Sequence, residues 1–260
     1  MSSPQFIDTH AHLYLLEHAS RDEIISRSDE AGIQKMVTVS VDEKSWGTNR
    51  EDSQKHEHVF YSIGLHPHEA KDWQTLKPKM KSLFDQGVPP KCVAIGEMGM
   101  DFYYDNSPKE MQIEAFEEQL QFANQWNLPI IIHCRDAFDL VYDSIRSIGL
   151  NPKGGVMHCF TGGPDEAKAA VDIGLKISFS GILTFKNAQK IRDAAKSLSL
   201  NDVVLETDCP FLAPVPVRGK PNEPSYLPHT AACLAQTMGY RIEVIAQHTT
   251  ENAKRLFGLP

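Results

Sequence analysis

Histidine and carboxylate side chains are concentrated in short segments that begin where apolar, strand-like runs of the sequence end. A mixed set of imidazole and carboxylate donors suits a divalent transition metal, and loops that follow strands are where catalytic groups gather. The distribution therefore predicts a metal-centred catalytic site. The segments are Thr9-His10-Ala11-His12, Gly64-Leu65-His66-Pro67-His68, Gly96-Glu97-Met98-Gly99, Ile132-His133-Cys134-Arg135, Met157-His158-Cys159-Phe160 and Glu206-Thr207-Asp208.

Two of these histidines, His10 and His12, are separated by a single residue on an extended segment. Their side chains project to the same side of the chain and can bind one metal ion together. The whole donor set exceeds what one catalytic ion with open positions requires, so we predict two ions with Glu97 as the bridge. The alternative is that each histidine is an ordinary core or helix-capping residue. The predicted metal ligands are His10, His12, Glu97, His133, His158 and Asp208.

The donor types also constrain the metal. Mixed nitrogen and carboxylate ligation suits Zn, Mn, Fe or Co better than Ca, whereas Mg is an imperfect but possible occupant. The predicted cofactors are therefore two divalent ions per subunit, and the choice among Zn, Mn, Mg, Fe and Co stays open.

Apolar, β-branched runs alternate with helical patterns along the chain, as in a parallel sheet built from βα units. Eight repeats in 260 residues are the expected size of a (β/α)8 TIM barrel, whose active sites lie at the C-terminal ends of the strands. A doubly wound sheet is the alternative, but the sequence lacks both GxGxxG and GxxxxGK(S/T). We predict one α/β domain over residues 1–260. Its predicted strands are 6–9, 36–40, 60–63, 93–96, 130–132, 155–157, 175–179 and 203–206, and its predicted helices are 20–32, 43–56, 69–86, 108–127, 136–149, 164–173, 187–198, 227–238 and 241–257.

The composition is that of an ordinary globular protein, with 41% hydrophobic residues and a formal net charge of −8. The negative charge argues against electrostatic wrapping of nucleic acid, although it allows a narrow cleft that takes one strand end. No apolar run reaches the roughly 18 residues of a membrane helix, and the first residues lack the features of a signal peptide. We therefore predict a cytoplasmic protein without membrane contact.

Five cysteines without CxxC spacing predict reduced thiols rather than disulfide bonds or a zinc knuckle. Cys134, Cys159 and Cys209 each follow a predicted metal ligand directly. Because neighbouring residues on a strand point to opposite faces, we expect these thiols to pack away from the site.

The motifs at the strand ends, taken together, closely resemble those of the TatD family of metal-dependent deoxyribonucleases, within the amidohydrolase-like barrel superfamily. The resemblance covers essentially the whole chain and implies a (β/α)8 barrel that hydrolyses DNA. It also implies two ligand groups that share Glu97: His10, His12 and Asp208 around one ion, and His133 and His158 around the other. The matching segments are 8–13, 64–68, 94–102, 133–137, 158–162, 178–181 and 205–214, with 218–224 as the family's loop after the eighth strand.

Glu97 and Asp208 are the predicted catalytic residues. We expect Asp208 to orient the attacking water and to take its proton; the alternative is a ligand with no proton role. His68 is expected at the mouth of the barrel, where it contacts phosphate or helps to hold an additional ion. For His66, which precedes a proline, the alternative of a structural role stays open.

Three cationic side chains are candidates for binding the substrate. Arg135 follows a predicted ligand and is expected to hold a phosphate oxygen, with a salt bridge to a neighbouring side chain as the alternative. Arg218 and Lys220 lie in the proline-rich segment 213–224, which we predict to be an ordered loop after the eighth strand. They contact phosphate or are simply solvated charges. Aromatic rings that follow the fourth and seventh strands, and that could stack on bases or merely pack loops, are Phe102, Tyr103, Tyr104 and Phe185.

The sequence is compatible with three functions. The resemblance implies a nuclease that acts on DNA, most readily from single-stranded ends. The wider superfamily also hydrolyses amides and esters with a similar site, and a metal-binding partner protein without catalysis is the third possibility. The cations near the site favour an anionic substrate, so DNA is the predicted partner and no obligate protein partner is inferred.

Overall fold

The computed structural model describes residues 4–104 and 106–260. Its eight strands form one sheet in sequential order, and every neighbouring pair in that order is parallel. Helices connect the successive strands, which confirms the predicted (β/α)8 TIM barrel. The strands are β1 Phe6–Ala11, β2 Ile33–Thr38, β3 Val59–Ile63, β4 Cys92–Asp101, β5 Ile130–Arg135, β6 Gly155–Met157, β7 Leu175–Phe179 and β8 Val203–Leu205.

The barrel closes between its first strand and the segment that follows its last. Ala11 and Cys209 form an isolated parallel bridge. On either side of it, the His12 amide donates to the Cys209 carbonyl at 2.9 Å and the Asp208 amide donates to the His10 carbonyl at 2.9 Å. Closure therefore brings the first strand and the segment after the last strand together at the residues predicted to bind metal.

Nine helices lie in the described part of the chain, most of them within two residues of the predicted bounds. None of the helices described is both long and apolar enough to cross a membrane. The helices are α1 Arg21–Glu30, α2 Glu43–Lys55, α3 Trp73–Ser82, α4 Lys109–Trp126, α5 Phe138–Ile148, α6 Pro164–Asp172, α7 Gln189–Ser197, α8 Leu227–Met238 and α9 Ile242–Phe257.

The predicted helix 69–86 is the largest difference between expectation and structure. A 3-10 helix, Pro67–Asp72, precedes α3, and α3 ends four residues early. Pro67 suits only the first turn of a helix, and the His66 ring caps that turn by accepting a hydrogen bond from the His68 amide at 3.1 Å. The chain therefore turns at the barrel mouth before α3 begins.

Strand β4 is longer and less regular than predicted, and this irregularity positions Glu97. Its register with β5 shifts between Ile95 and Met98, so Glu97 lies at a bulge that redirects its side chain. Gly99 has φ 147°, a conformation that L side chains rarely adopt. A Cβ atom at Gly99 would also overlap the carbonyl oxygen of His133 on β5. Glycine is therefore required for β4 to approach β5 at the site.

We predict that Gly99→Ala lowers the free energy of unfolding by about 3 kcal/mol or more, because it combines backbone strain with a steric clash. The matched control is Gly47→Ala in α2, where an added Cβ meets nothing within 4 Å. That variant should gain about 0.5–1 kcal/mol, since alanine is the better helix former. Urea denaturation compares them; equal stability of Gly99→Ala and the wild type would contradict the packing described here.

Candidate metal centre

The C-terminal ends of the strands surround one pocket of about 770 Å³. This is the location that the barrel architecture predicts for the site. His10 is fully buried next to the pocket. The predicted residues that line it are His12, His68, Glu97, His133, Arg135, His158 and Asp208.

Glu97 lies between two groups of imidazole rings. Its Oε2 atom is 3.3 Å from His10 Nε2 and 3.8 Å from His12 Nε2. Its Oε1 atom is 2.8 Å from His158 Nε2 and 3.0 Å from His133 Nδ1. The two oxygens of one buried carboxylate thus face different donor groups, as a bridging ligand requires.

Asp208 completes the first of these groups. Its Oδ1 atom is 3.5 Å from His12 Nε2 and 3.8 Å from His10 Nε2. The two imidazole nitrogens are themselves only 3.2 Å apart. Donor atoms of His10, His12 and Asp208 all lie within 4.8 Å of one another, and the same holds for His66, Glu97 and His133. This donor set fits divalent metal ions in both number and chemistry.

The neighbouring imidazole groups keep the two predicted carboxylate ligands ionised. Burial opposes the ionisation of Glu97, but His158, His66 and His10 outweigh it and hold its pKa well below the ordinary value. Burial likewise opposes ionisation of Asp208, and His12 above all lowers its pKa. Both side chains are therefore anionic at neutral pH.

The histidines divide according to their surroundings. Burial lowers the pKa of His10, so this imidazole is neutral and has a free lone pair. At His158 the carboxylates outweigh burial, and Glu97 above all raises the pKa well above the ordinary value. At His133 the pKa is also raised, and the hydrogen bond to Asp101 is the largest contribution that raises it. A cation that binds at such nitrogens must displace protons, and metal affinity should therefore fall with falling pH.

Further polar contacts orient the predicted ligands His12 and His158. The Nδ1–H group of His12 donates to the Val39 carbonyl at 3.2 Å, which leaves Nε2 free to face Glu97 and Asp208. Glu206 Oε1 lies 3.4 Å from His158 Nδ1 and accepts from the Cys159 amide at 2.5 Å. Glu206 therefore helps to hold the His158 ring in place. The sequence did not indicate which residue Glu206 contacts.

Asp8 ties the first strand to the segment after the last, a role that sequence reasoning missed. Its carboxylate accepts from the Thr207 hydroxyl at 2.6 Å, from the Thr207 amide at 3.0 Å and from the His10 amide at 3.2 Å. Burial raises the pKa of Asp8 to about 7. Asp8 and Thr207 are 199 positions apart in the sequence, so no local pattern could indicate the pairing.

Asp101 is the principal site residue that sequence reasoning missed. Its Oδ2 atom accepts from His133 Nε2 at 3.0 Å and from His68 Nε2 at 3.1 Å. Its Oδ1 atom accepts from the amides of Tyr103 and Tyr104, at 3.0 Å each. Asp101 thus joins His133, a predicted metal ligand, to the loop at the pocket mouth. The sequence offered one indication: Asp101 is an acidic residue only four positions after Glu97, near the end of the same apolar run.

His66 also lies at the centre. Its Nε2 atom is 3.4 Å from Glu97 Oε1, and burial lowers its pKa to about 4. A neutral imidazole beside Glu97 can bind a metal ion or hydrogen-bond to a metal's ligands. His66 therefore has two contacts: Nδ1 caps the 3-10 turn, which is the structural role, and Nε2 faces Glu97.

The predicted substrate-binding cations occupy different environments. Arg135 lines the pocket and stacks on the rings of Tyr103 and Tyr104, at 3.9 and 4.9 Å from their centroids. Arg218 lies 3.8 Å from the centroid of Phe185 and is exposed, as is Lys220. Neither loop cation lines the pocket. Their contact with substrate stays a prediction.

Two of the cysteines are placed differently from expectation. Cys134 and Cys159 line the pocket, whereas Cys209 is buried as predicted. The alternation of strand faces does not extend to Cys159, because β6 has already ended and this residue has φ 43°. The Cys159 thiol lies 3.4 Å from the Ser180 hydroxyl.

A closed parallel barrel with imidazole and carboxylate groups at its mouth is the architecture of a metal-dependent hydrolase. The family model described as TatD related DNase matches residues 7–258. The chain therefore belongs to the TatD family of metal-dependent hydrolases.

Individual relatives agree with this assignment. The chain is 39% identical over 251 residues to the uncharacterized metal-dependent hydrolase YabD of Bacillus subtilis, covering 96% of this chain and 98% of the relative. It is 32% identical to the 3'-5' ssDNA/RNA exonuclease TatD of Escherichia fergusonii, covering 92% and 93%. The crystal structure of YJJV, a TatD homologue from Escherichia coli, matches with a TM-score of 0.93 and 28% identity, covering 99% of each chain.

Proposed function

We propose that this hydrolase is a deoxyribonuclease that removes nucleotides from single-stranded ends, using two divalent ions at the barrel mouth. The observation that carries the proposal is the position of Glu97, whose two oxygens face separate imidazole groups in one pocket. Two adjacent cations are the usual means of stabilising both the attacking and the leaving oxygen of a phosphodiester. A relative named as a single-stranded DNA and RNA exonuclease supports the choice of substrate.

We assign the ligands in two groups that share Glu97. One group is completed by His10, His12 and Asp208, and the other by His133 and His158. Divalent ions held there supply charge that polarises the phosphodiester and lowers the pKa of a bound water. The native metal is one of Zn, Mn, Mg, Fe or Co.

The two carboxylates then have different tasks. Both oxygens of Glu97 are engaged with imidazole groups, so Glu97 holds the two halves of the site at a fixed separation. Asp208 approaches His10 and His12 through Oδ1 alone, and it is ionised at neutral pH. We assign Asp208 to orient the attacking water and to accept its proton.

The mouth of the pocket suits one unpaired strand. Tyr103, Tyr104 and Phe211 are 60%, 47% and 53% exposed, so their rings are accessible to a substrate at the mouth. Unstacked bases pack on such rings, whereas the bases of a duplex are already stacked. Arg135 lies over the two tyrosines and is positioned to hold a phosphate next to a stacked base.

The direct test is an assay of the metal-loaded protein on single- and double-stranded DNA labelled at either end, beside RNA and a panel of neutral esters and lactones. We expect stepwise shortening of single-stranded DNA that a chelator stops and added divalent metal restores. The labels report the direction of degradation. Turnover of esters without cleavage of any nucleic acid would contradict the proposal.

We predict that Arg135→Ala lowers kcat/KM on single-stranded DNA by about 10- to 100-fold, as expected for loss of one charge-assisted phosphate contact. Metal content should not change. Arg218→Ala combined with Lys220→Ala should cost less and act mainly through KM and salt dependence, because both side chains are exposed. An equal loss on a neutral ester would show that Arg135 supports the metal centre and does not bind phosphate.

A further inference from the structure

The backbone around Asp208 follows a tight turn soon after the last strand of the barrel. β8 ends at Leu205, and the Phe211 amide donates to the Asp208 carbonyl at 2.9 Å. Asp208 and Leu212 both have positive φ angles, 57° and 55°. Such angles are uncommon in residues other than glycine and are kept where the surrounding structure determines them. The direction of the Asp208 carboxylate therefore depends on the contacts that fix this turn.

Asn222 fixes the turn from both sides of Asp208. Its side chain is fully buried, and Nδ2 donates to the Thr207 carbonyl at 2.8 Å and to the Phe211 carbonyl at 2.6 Å. Its backbone amide donates to the Pro210 carbonyl at 3.1 Å. One side-chain amide thus holds the carbonyl that precedes Asp208 and another that follows it. Loss of this group would free the peptide groups on both sides of Asp208 to rotate.

The next residue anchors Asn222 to the body of the barrel. The Glu223 amide donates to Asn222 Oδ1 at 3.0 Å, which leaves Nδ2 facing the turn. The Glu223 carboxylate is buried and accepts from Arg27 on α1, from Nε at 2.9 Å and from Nη2 at 2.6 Å. His18 Nε2 lies 2.9 Å from the same carboxylate. Asn222 is therefore tied to α1 at the end of the proline-rich loop.

We propose that Asn222 is a positioning residue for Asp208: by holding the Thr207 and Phe211 carbonyls, it aims the Asp208 carboxylate at the metal centre. This role rests on the function proposed above for Asp208, whose Oδ1 atom lies 3.5 Å from His12 Nε2. Among the residues that the structure describes, Asn222 is not one that lines the pocket, so it acts through Asp208. A displacement of about 1 Å can cost about 10²-fold in rate.

The test is the kinetics of Asn222→Ala, measured on single-stranded DNA with the full-length protein loaded with Mn. We expect kcat to fall by about 10- to 100-fold, because Asp208 keeps its charge but no longer points at the attacking water. KM should change much less, since Arg135, the residue assigned to phosphate, is unaltered. Metal per chain at saturating Mn, measured on the same sample, should match the wild type.

Asn252 on α9 provides a matched control. It is also fully buried, and its Nδ2 group donates to the Leu200 carbonyl at 2.7 Å and to the Val203 carbonyl at 2.8 Å. Val203 is the first residue of β8, at the end of the strand away from the metal centre. Asn252→Ala therefore removes a similar pair of hydrogen bonds from the opposite end of the same strand. It should lower the Tm about as much as Asn222→Ala does but leave kcat within about twofold.

A double-mutant cycle distinguishes positioning from a general structural role. With Asp208→Asn already present, Asn222→Ala should lower kcat by less than about threefold further, because the group that it positions no longer accepts a proton. A purely structural role predicts the same factor with and without Asp208→Asn. If Asn222→Ala does not fold, Asn222→Ser, which keeps one donor group, takes its place in every comparison.

The proposal is overturned if Asn222→Ala loses no more kcat than Asn252→Ala at an equal loss of Tm, or if its cost is the same with and without Asp208→Asn. Either result leaves the proposed function intact as long as Asp208→Asn alone is impaired. A wild-type rate for Asp208→Asn contradicts instead the role proposed for Asp208, and the positioning role of Asn222 with it.

Discussion

Asp208→Asn is expected to keep the fold and to lower kcat on single-stranded DNA by about 10²- to 10⁴-fold at saturating metal, the range of a positioned proton acceptor. Asparagine has nearly the same shape and tolerates the φ of 57° at this position. It lacks the negative charge beside His10 and His12, and it cannot take a proton at neutral pH. The loss should therefore appear in kcat, with thermal stability maintained.

Asp136 provides a matched control for Asp208. It also lines the pocket and has a positive φ of 54°, but it is exposed and contacts none of the proposed ligands. Asp136→Asn makes the same change of charge and should leave kcat within about twofold, as expected for exposed positions away from the chemistry. A near wild-type rate for Asp208→Asn at saturating metal would show that Asp208 is neither an essential ligand nor the proton acceptor.

Glu97→Gln should have the broadest effect, because it removes the one group that faces both halves of the site. We expect affinity for both ions to fall by more than about 10²-fold, beyond the usual effect of altering a group that only supports a ligand. Activity should fall with it. Metal content after equilibrium dialysis, measured over a range of free metal concentrations, reports both affinities.

His133→Ala is the informative comparison for Glu97→Gln. His133 Nδ1 contacts Oε1 of Glu97, and within the described part of the chain it makes no hydrogen bond or ion pair with Oε2. The loss of His133 should therefore weaken one ion far more than the other. If Glu97→Gln instead retained one ion at wild-type affinity, Glu97 would belong to a single site and the bridging assignment would be wrong.

The fold could be predicted from the sequence because local signals agreed with the global architecture. Strand-like runs alternate with helical patterns, and strand ends in a barrel converge on one mouth. The six proposed ligands could be chosen because they lie at strand ends, which converge on that mouth. Their division into two groups came from the resemblance to the TatD family and not from the geometry of the barrel. The structure brings all six together, although their binding of metal is a proposal.

The rest depended on contacts that no local pattern encodes. Asp101 joins His133 only because β4 continues past its bulge and pairs with β5 in the register that sets Met100 against Cys134. A register shift of one residue reverses which face a side chain occupies, and a sequence does not show where a bulge lies. The position of His66 beside Glu97 likewise depends on a 3-10 turn that periodicity could not distinguish from helix.

The central claim, that one carboxylate joins two divalent ions at the barrel mouth, is tested most directly by the metal content of the wild-type protein. The full chain is equilibrated with excess Mn, freed of unbound metal by dialysis, and analysed for metal per chain. Glu97 in the bridging position predicts two ions per chain, both lost together in Glu97→Gln. One ion per chain under saturating Mn would contradict the account.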